Sequence, residues 1–350
     1  MVKSTVIVPC AGKSTRFPNL RPKYLLVNPT GNLMLIDAIS KLNLNDCRLI
    51  VTILSEHEKK YGITDMLGKF FPKMGIEVCI LDKETSSQSE TVRRTIDKMD
   101  IKTPFLVKDA DNIFKMDEVH STHNYVTINR LDDFNLINAT NKSYIVADSS
   151  GLIINIEEKK VVSNIFSVGG YYFIEPSEFV SAYEDVKKLA LNTEIYISTI
   201  INHMIFTRKT KFKIKPVTGY IDLGTLNEWL LFKQKFRTYF IDIDGIIVKN
   251  GGEYLKPYWG TTEGINENIA TINNLYDSGS QIILTTSRKE EYRKITEEQL
   301  KKYGVKYHQL IMGLFHSARV LINDFADTNP YPSAIAINIP RNSNDLNKFL

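Results

Sequence analysis

The sequence predicts two consecutive α/β domains, each built on a largely parallel sheet. Three observations predict it. Short apolar or β-branched runs alternate with helix-like runs, the alternation restarts after an aromatic segment at residues 229–239, and 350 residues exceed the usual size of one domain. In the first half, residues 5–9, 48–54, 76–81 and 105–108 read as buried parallel strands. Residues 34–42 and 90–98 read as helices, the second entered from the polar loop 85–89. Further strands and hairpins are expected over 125–156, and another strand over 166–174. In the second half, 239–248, 281–285, 320–323 and 334–339 read as strands, with 264–277 and 290–303 as helices. The boundary falls near Lys235 without a Gly/Ser linker, giving domains 1–235 and 236–350.

Composition narrows the function. At 43% hydrophobic, 24% charged and 10% aromatic, the chain is an ordinary globular one, which excludes disorder, collagen and coiled coil. Lys and Arg number 44 against 40 Asp and Glu, a net charge of +4. From Arg237 onward the counts are 13 and 13, leaving 31 against 27 before it. That excess is too mild for a nucleic-acid binder, but it suits a few lysines aimed at phosphates. Three cysteines without a CxxC pair argue against a zinc site or disulfide framework and for a reducing cytoplasm. The short apolar run 5–11 lacks the basic start and long core of a signal peptide. No run approaches the roughly 18 apolar residues of a membrane span.

The run from Val6 to Pro18, VIVPCAGKSTRFP, leaves a strand and opens a loop, followed by Arg21, Pro22 and Lys23. Around Ala11, Gly12, Ser14 and Thr15 the small side chains let backbone N–H groups approach phosphate oxygens. Arg16 and Lys23 add positive charge where a triphosphate would lie. This spacing resembles the sugar-phosphate nucleotidyltransferases, whose signature is G-x-G-T-R-(x)-P…P-K after the first strand. The chain departs from it at Lys13 and Ser14.

Later motifs keep the family's order over residues 1–230. FLVKDADN at 105–112 resembles the strand-end aspartate on Mg²⁺, Asp111. IEEK at 156–159 resembles the E-K-P motif, with Lys160 in place of proline. VGGYYF at 168–173 resembles the glycine–aromatic strand beside the acceptor phosphate. EIYIS at 194–198 resembles the acceptor-contacting acidic segment, and YIDLGT at 220–225 the motif carrying the second metal aspartate, Asp222. The resemblance implies a Rossmann-like mixed sheet that joins an NTP to a sugar or polyol phosphate and releases pyrophosphate. It implies Arg16 and Lys23 as catalytic, and Ala11, Gly12, Ser14, Thr15, Gln88 and Asp111 as nucleotide contacts. Lys159, Gly170 and Glu194 would meet the acceptor, and Asp111 and Asp222 would hold Mg²⁺. The base stays open, with CTP as a guess, and so does homo-oligomerisation. Asp109 reads as a loop carboxylate or a supporting group.

A second pattern follows. YFIDIDG at 239–245 is an apolar strand ending in two carboxylates, one placed to attack phosphorus and the other to move protons. IILTTSR at 282–288 ends a strand in hydroxyls, and VLIND at 320–324 ends one in an acid. Residues 237–340 resemble the haloacid dehalogenase-like (HAD) phosphatases. The resemblance implies Asp242 as nucleophile and Mg²⁺ ligand, Asp244 as general acid/base, Thr286 as phosphate binder and Asp324 as Mg²⁺ ligand, with Asp327 orienting the metal shell. The usual D-x-D-G-T ends here in Ile246, and the family's lysine is not evident over 313–319, leaving Arg319 or Lys306 as substitutes. Gaps of 42 residues from Asp244 to Thr286 and 37 from Ser287 to Asp324 leave no room for a cap domain. Two alternatives stand beside this bifunctional reading: a glycosyltransferase using Asp109 and Asp111 as a DxD metal motif, and a non-catalytic second domain.

Overall fold

Alternate residues of strand β1 (Ser4–Pro9) feed two different cores, which is the signature of a strand covered on both faces. Ile7 joins Ile50, Val107, Val92 and Phe179 on one side, while Val6 and Val8 join Leu35, Leu49, Leu106 and Leu67 on the other. The computed structural model describes residues 2–12, 17, 20–133, 139–189, 194–324 and 333–350. They divide into two units, Met1–Trp229 and Leu230–Leu350.

In the first unit, α1 (Met34–Ser40) follows β1, and β2 (Cys47–Leu54) leads into α2 (Ser55–Tyr61) and α3 (Ile63–Phe70). Then come β3 (Ile76–Leu81), α4 (Gln88–Lys98), β4 (Phe105–Lys108), β5 (Asn112–Lys115) and β6 (Asn124–Arg130). The hairpin β7 (Ser143–Ala147) and β8 (Ile153–Glu158) precedes β9 (Ile165–Phe173), α5 (Pro176–Leu189) and α6 (Ile197–Arg208). β10 (Phe212–Pro216), β11 (Thr218–Asp222) and α7 (Leu226–Gln234) follow, and the division between the units falls inside α7. The main sheet runs β10-β6-β9-β4-β1-β2-β3, with β7 beside β9 and β8 beside β7. β1 pairs in parallel with both β2 and β4, whereas β9 runs antiparallel to β4 and β6, so the sheet is mixed.

In the second unit, β12 (Thr238–Asp242), β13 (Gln281–Thr285) and β14 (Gln309–Ile311) form a parallel three-stranded sheet. Helices α8 (Asn266–Asp277) and α9 (Arg293–Lys302) add Ile269, Ile272 and Leu300 to its core of Ile241, Ile243, Ile282 and Leu284. Between β12 and α8 there is no helix or strand, only isolated bridges. The first strand stops at Asp242 rather than running to 248, because the chain turns at Gly245, whose φ of +93° suits glycine. The strands expected over 320–323 and 334–339 do not form. Val320 and Ile322 are 81% and 87% exposed there, since a four-residue apolar run becomes a strand only where a ladder partner covers it. No helix among the described residues is long and apolar enough to cross a membrane.

Candidate active site

β1 and β4 lie side by side, Ile7 opposite Val107, so the chain leaves both strands at one end of the sheet. β2 continues on the far side of β1, which makes this the point where strand order reverses and where open α/β sheets take ligands. From β4 the turn 109–111 passes into β5. Lys108 closes that turn from beneath: its buried ammonium donates to the carbonyls of Asp109 (2.7 Å) and Asn112 (2.8 Å) and to Asn112 Oδ1 (2.6 Å), over the Phe114 ring. Burial lowers its pKa to about 8, against the pull of the Asp109 and Asp111 carboxylates.

β11 runs antiparallel to β5 with Asp222 opposite Asn112, and the Leu223 N–H donates to the Asp111 carbonyl at 2.9 Å. The two aspartates are therefore neighbours. Lys23 pairs with Asp111 and Lys142 with Asp222, the carboxylates being only 12% and 10% exposed. Charges this buried need such partners. Lys142 also donates to the Tyr220 hydroxyl at 2.8 Å. Thr225 and Glu228 cap α7 reciprocally just beyond, each accepting the other's N–H.

The hairpin sets the next group. Ser143 faces Glu158, whose Oε2 accepts from the hydroxyls of Ser143 (2.5 Å) and Ser198 (2.7 Å). Lys159 leaves the ladder at φ +57°, with its N–H on the Lys142 carbonyl at 2.9 Å. Its ammonium donates to Tyr196 Oη at 2.6 Å, and that hydroxyl donates to Glu194 at 2.7 Å.

No family model matches the sequence, and no curated protein matches it. Solved structures do. A nucleoside-diphosphate-sugar pyrophosphorylase from Vibrio cholerae RC9 aligns with 65% of this chain and 99% of its own, at 17% identity and a TM-score of 0.54. The first unit has the nucleotidyltransferase fold. A UDP-glucose pyrophosphorylase complexed with UDP-glucose covers 67% of this chain and 98% of its own (15% identity, TM-score 0.51). An inositol-1-phosphate CTP transferase from T. maritima covers 66% and 94% (12% identity, TM-score 0.50).

Within this nucleotidyltransferase fold the expected residues fall in three groups. Lys23, Asp111 and Asp222 come together, with Ala11 buried and Gly12 exposed where the loop leaves β1. Lys13, Ser14, Thr15, Arg16 and Pro18 lie outside the described residues. Gln88 opens α4 and donates to Asp109 Oδ1 at 2.5 Å. Asp109 is thus no loose loop carboxylate. Loss of water and then the charge of Asp111 raise its pKa to about 6, while Gln88 and Lys108 oppose the rise. It also lies against Gly169. Gly170 is buried, and a side chain there would overlap Thr127 and crowd Phe114, so sheet packing explains this glycine. Glu194 is exposed and is linked to Lys159 through the Tyr196 hydroxyl, while its charge also acts on that ammonium. Sequence reasoning missed Lys108, Lys142 and Tyr196. A lysine inside the apolar run FLVK was a visible signal for the first; Lys142 carries none, because hairpin register places it.

The second unit places Asp242 opposite Thr285 at the open ends of β12 and β13. Partial loss of water, then the nearby Asp244 charge, raise the Asp242 carboxyl above the ordinary range. Asp244 is held in a buried ion pair. The fully buried Arg288 takes both its oxygens at 2.8 Å and is itself held by Gln299 (2.9 Å) and Thr296 (3.2 Å). The fork takes one lone pair on each oxygen and favours the ionised carboxylate, which opposes a general-acid role. Thr286 is buried, its hydroxyl accepting the Arg288 N–H at 3.1 Å. Asp324 stands on exposed chain outside any strand, because its expected strand is absent, and Asp327 lies outside the described residues. Lys306 pairs with Asp277 at 2.7 Å, both side chains about half exposed. Arg319 donates to the Phe315 and Ser317 carbonyls while its charge acts on Asp242.

Proposed function

We propose that the first unit transfers a nucleotidyl group from an NTP to a sugar or polyol phosphate and releases pyrophosphate. The adjacency of Asp111 and Asp222 beside the loop that leaves β1 carries the reading. Two neighbouring carboxylates are hard oxygen donors and fit Mg²⁺, which takes one or two protein carboxylates and completes its shell with phosphate oxygens and water. Bound there, Mg²⁺ supplies charge neutralisation at phosphoryl oxygens.

The chain's own residues do the positioning. An acceptor phosphate oxygen attacks the α-phosphorus while the bond to the bridging oxygen breaks and pyrophosphate leaves. Charge builds on the α-phosphoryl and bridging oxygens, so oriented donors supply most of the catalysis. Lys23 offsets the α-phosphoryl charge, Arg16 the pyrophosphate, and Lys159 holds the acceptor phosphate. Lys108 keeps the turn that presents Asp111 closed, through three hydrogen bonds. Gln88, hydrogen-bonded to Asp109, would contact the nucleotide base.

The test is pyrophosphate release with each common NTP, CTP first, against a panel of sugar and polyol phosphates in Mg²⁺. Release that needs both substrates, with a nucleotidyl product seen by mass spectrometry, is expected. Hydrolysis of an NDP-sugar without pyrophosphate would favour the glycosyltransferase.

For the second unit the reading is phosphomonoester hydrolysis through Asp242, which has Thr285 and Thr286 beside it. A specific observation favours a non-catalytic module instead: Arg288 occupies Asp244. Mg²⁺-dependent turnover of p-nitrophenyl phosphate that is lost in Asp242→Asn supports hydrolysis. No turnover by the wild type supports the module.

A further inference from the structure

We infer that Lys142 is a second acceptor-phosphate lysine, parked on Asp222 until a divalent cation takes that carboxylate. The inference deepens the nucleotidyltransfer reading and rests on it. It begins with register. Ser143 faces Glu158, so Lys142 and Lys159 are the next pair along the hairpin, joined by the 2.9 Å bond from the Lys159 N–H to the Lys142 carbonyl. Two ammonium groups thus leave neighbouring backbone positions at one end of one ribbon. Each is now held by an acid: Lys142 directly by Asp222, and Lys159 through Tyr196 by Glu194.

The two lysines differ in what metal binding does to them. A divalent cation and the Lys142 ammonium compete for the Asp222 carboxylate, because the like charges repel within a largely buried space. Where the cation wins, Lys142 moves its head group. Its flexible four-carbon stem allows this, and the hairpin keeps its Cα next to Lys159. A phosphomonoester is close to a dianion at neutral pH, so two lysines match it where one leaves charge uncompensated. Arrival of the metal would therefore release a cation toward the acceptor, linking acceptor binding to metal occupancy.

Lys142→Met keeps the stem and removes the charge. The first reading is Mn²⁺ binding without substrates, followed by electron paramagnetic resonance. The variant should bind Mn²⁺ about threefold tighter or more, because the competing ammonium is gone. The second is a steady-state split: KM for the acceptor rises about tenfold, the usual effect of losing a charge-assisted hydrogen bond, while KM for the NTP stays within about twofold. Unchanged or weaker Mn²⁺ binding overturns the exchange, whatever the turnover. An unchanged acceptor KM overturns the phosphate role. If the wild type turns over no acceptor, the nucleotidyltransfer reading fails and this inference fails with it, a result distinct from failure of the Mn²⁺ arm alone. Lys142→Gln gives the same readings should methionine be poorly accommodated.

Discussion

Asp111 and Asp222 meet through one step of a two-stranded ladder: Asp222 faces Asn112, and the amide after Asp222 donates to the Asp111 carbonyl at 2.9 Å. This step couples a turn at the switch point of the main sheet to a strand from much later in the chain. The carboxylates are held by lysines from two further segments, the stretch after the β1 loop and the β7–β8 hairpin. Four separated pieces of sequence thus converge on one small polar site.

Gly169→Ala tests how tightly that site is built. Gly169 has φ +82°, and an added Cβ would overlap the Asp109 carboxylate and the Asn112 amide on either side of Asp111. The expected loss is about 1–3 kcal/mol of stability, from strain and overpacking together. Urea unfolding measures it. A midpoint equal to that of the wild type would show the turn to be loose.

The helix that carries Gln88 depends on pH through Glu90. Burial raises the Glu90 pKa, but bonds from the Ser86 hydroxyl (2.7 Å) and N–H (2.6 Å) and from Arg94 (2.5 Å) outweigh it, so the carboxyl is held below its usual value. A depressed carboxylate adds stability above its unfolded pKa of about 4.3 and loses it as pH falls through the folded value. Glu90→Gln should therefore cost about 1 kcal/mol at pH 7. The gap from wild type should shrink as the pH drops from 5 toward 3.5 in urea titrations. A constant gap would contradict the assignment.

Arg288 and Asp244 make a buried pair with a measurable asymmetry. Arg288→Met leaves a carboxylate that is only 14% exposed without its partner, at a cost of about 3–5 kcal/mol. Removing both charges with Asp244→Leu in the same chain should recover much of that loss. Equal destabilisation of single and double variants would show that Arg288 acts through Thr296 and Gln299 rather than through Asp244.

The strands at 76–81, 105–108 and 281–285 were legible to the residue, because each is a compact apolar run bounded by polar or turn-forming chain. The run after Asp242 misled, since isoleucines 243, 246 and 247 continue an apolar pattern through a turn that Gly245 permits. Residues 320–323 misled for the opposite reason: the pattern says strand, yet only a neighbouring ladder could make it one. In the site, Asp111 and Asp222 were legible because each stands in a motif with its own spacing. Lys142 and the Arg288 clamp were not, as hairpin register and a long side chain reaching across the core leave no local trace.

The central claim is that Asp111 and Asp222 together serve nucleotidyl transfer, and pyrophosphate release measures it most directly. With an NTP and an acceptor phosphate that the wild type turns over, Asp111→Ala and Asp222→Ala should each lower the rate by about a thousandfold or more while the proteins stay folded by circular dichroism. Release that continues at the wild-type rate in either variant would contradict the claim.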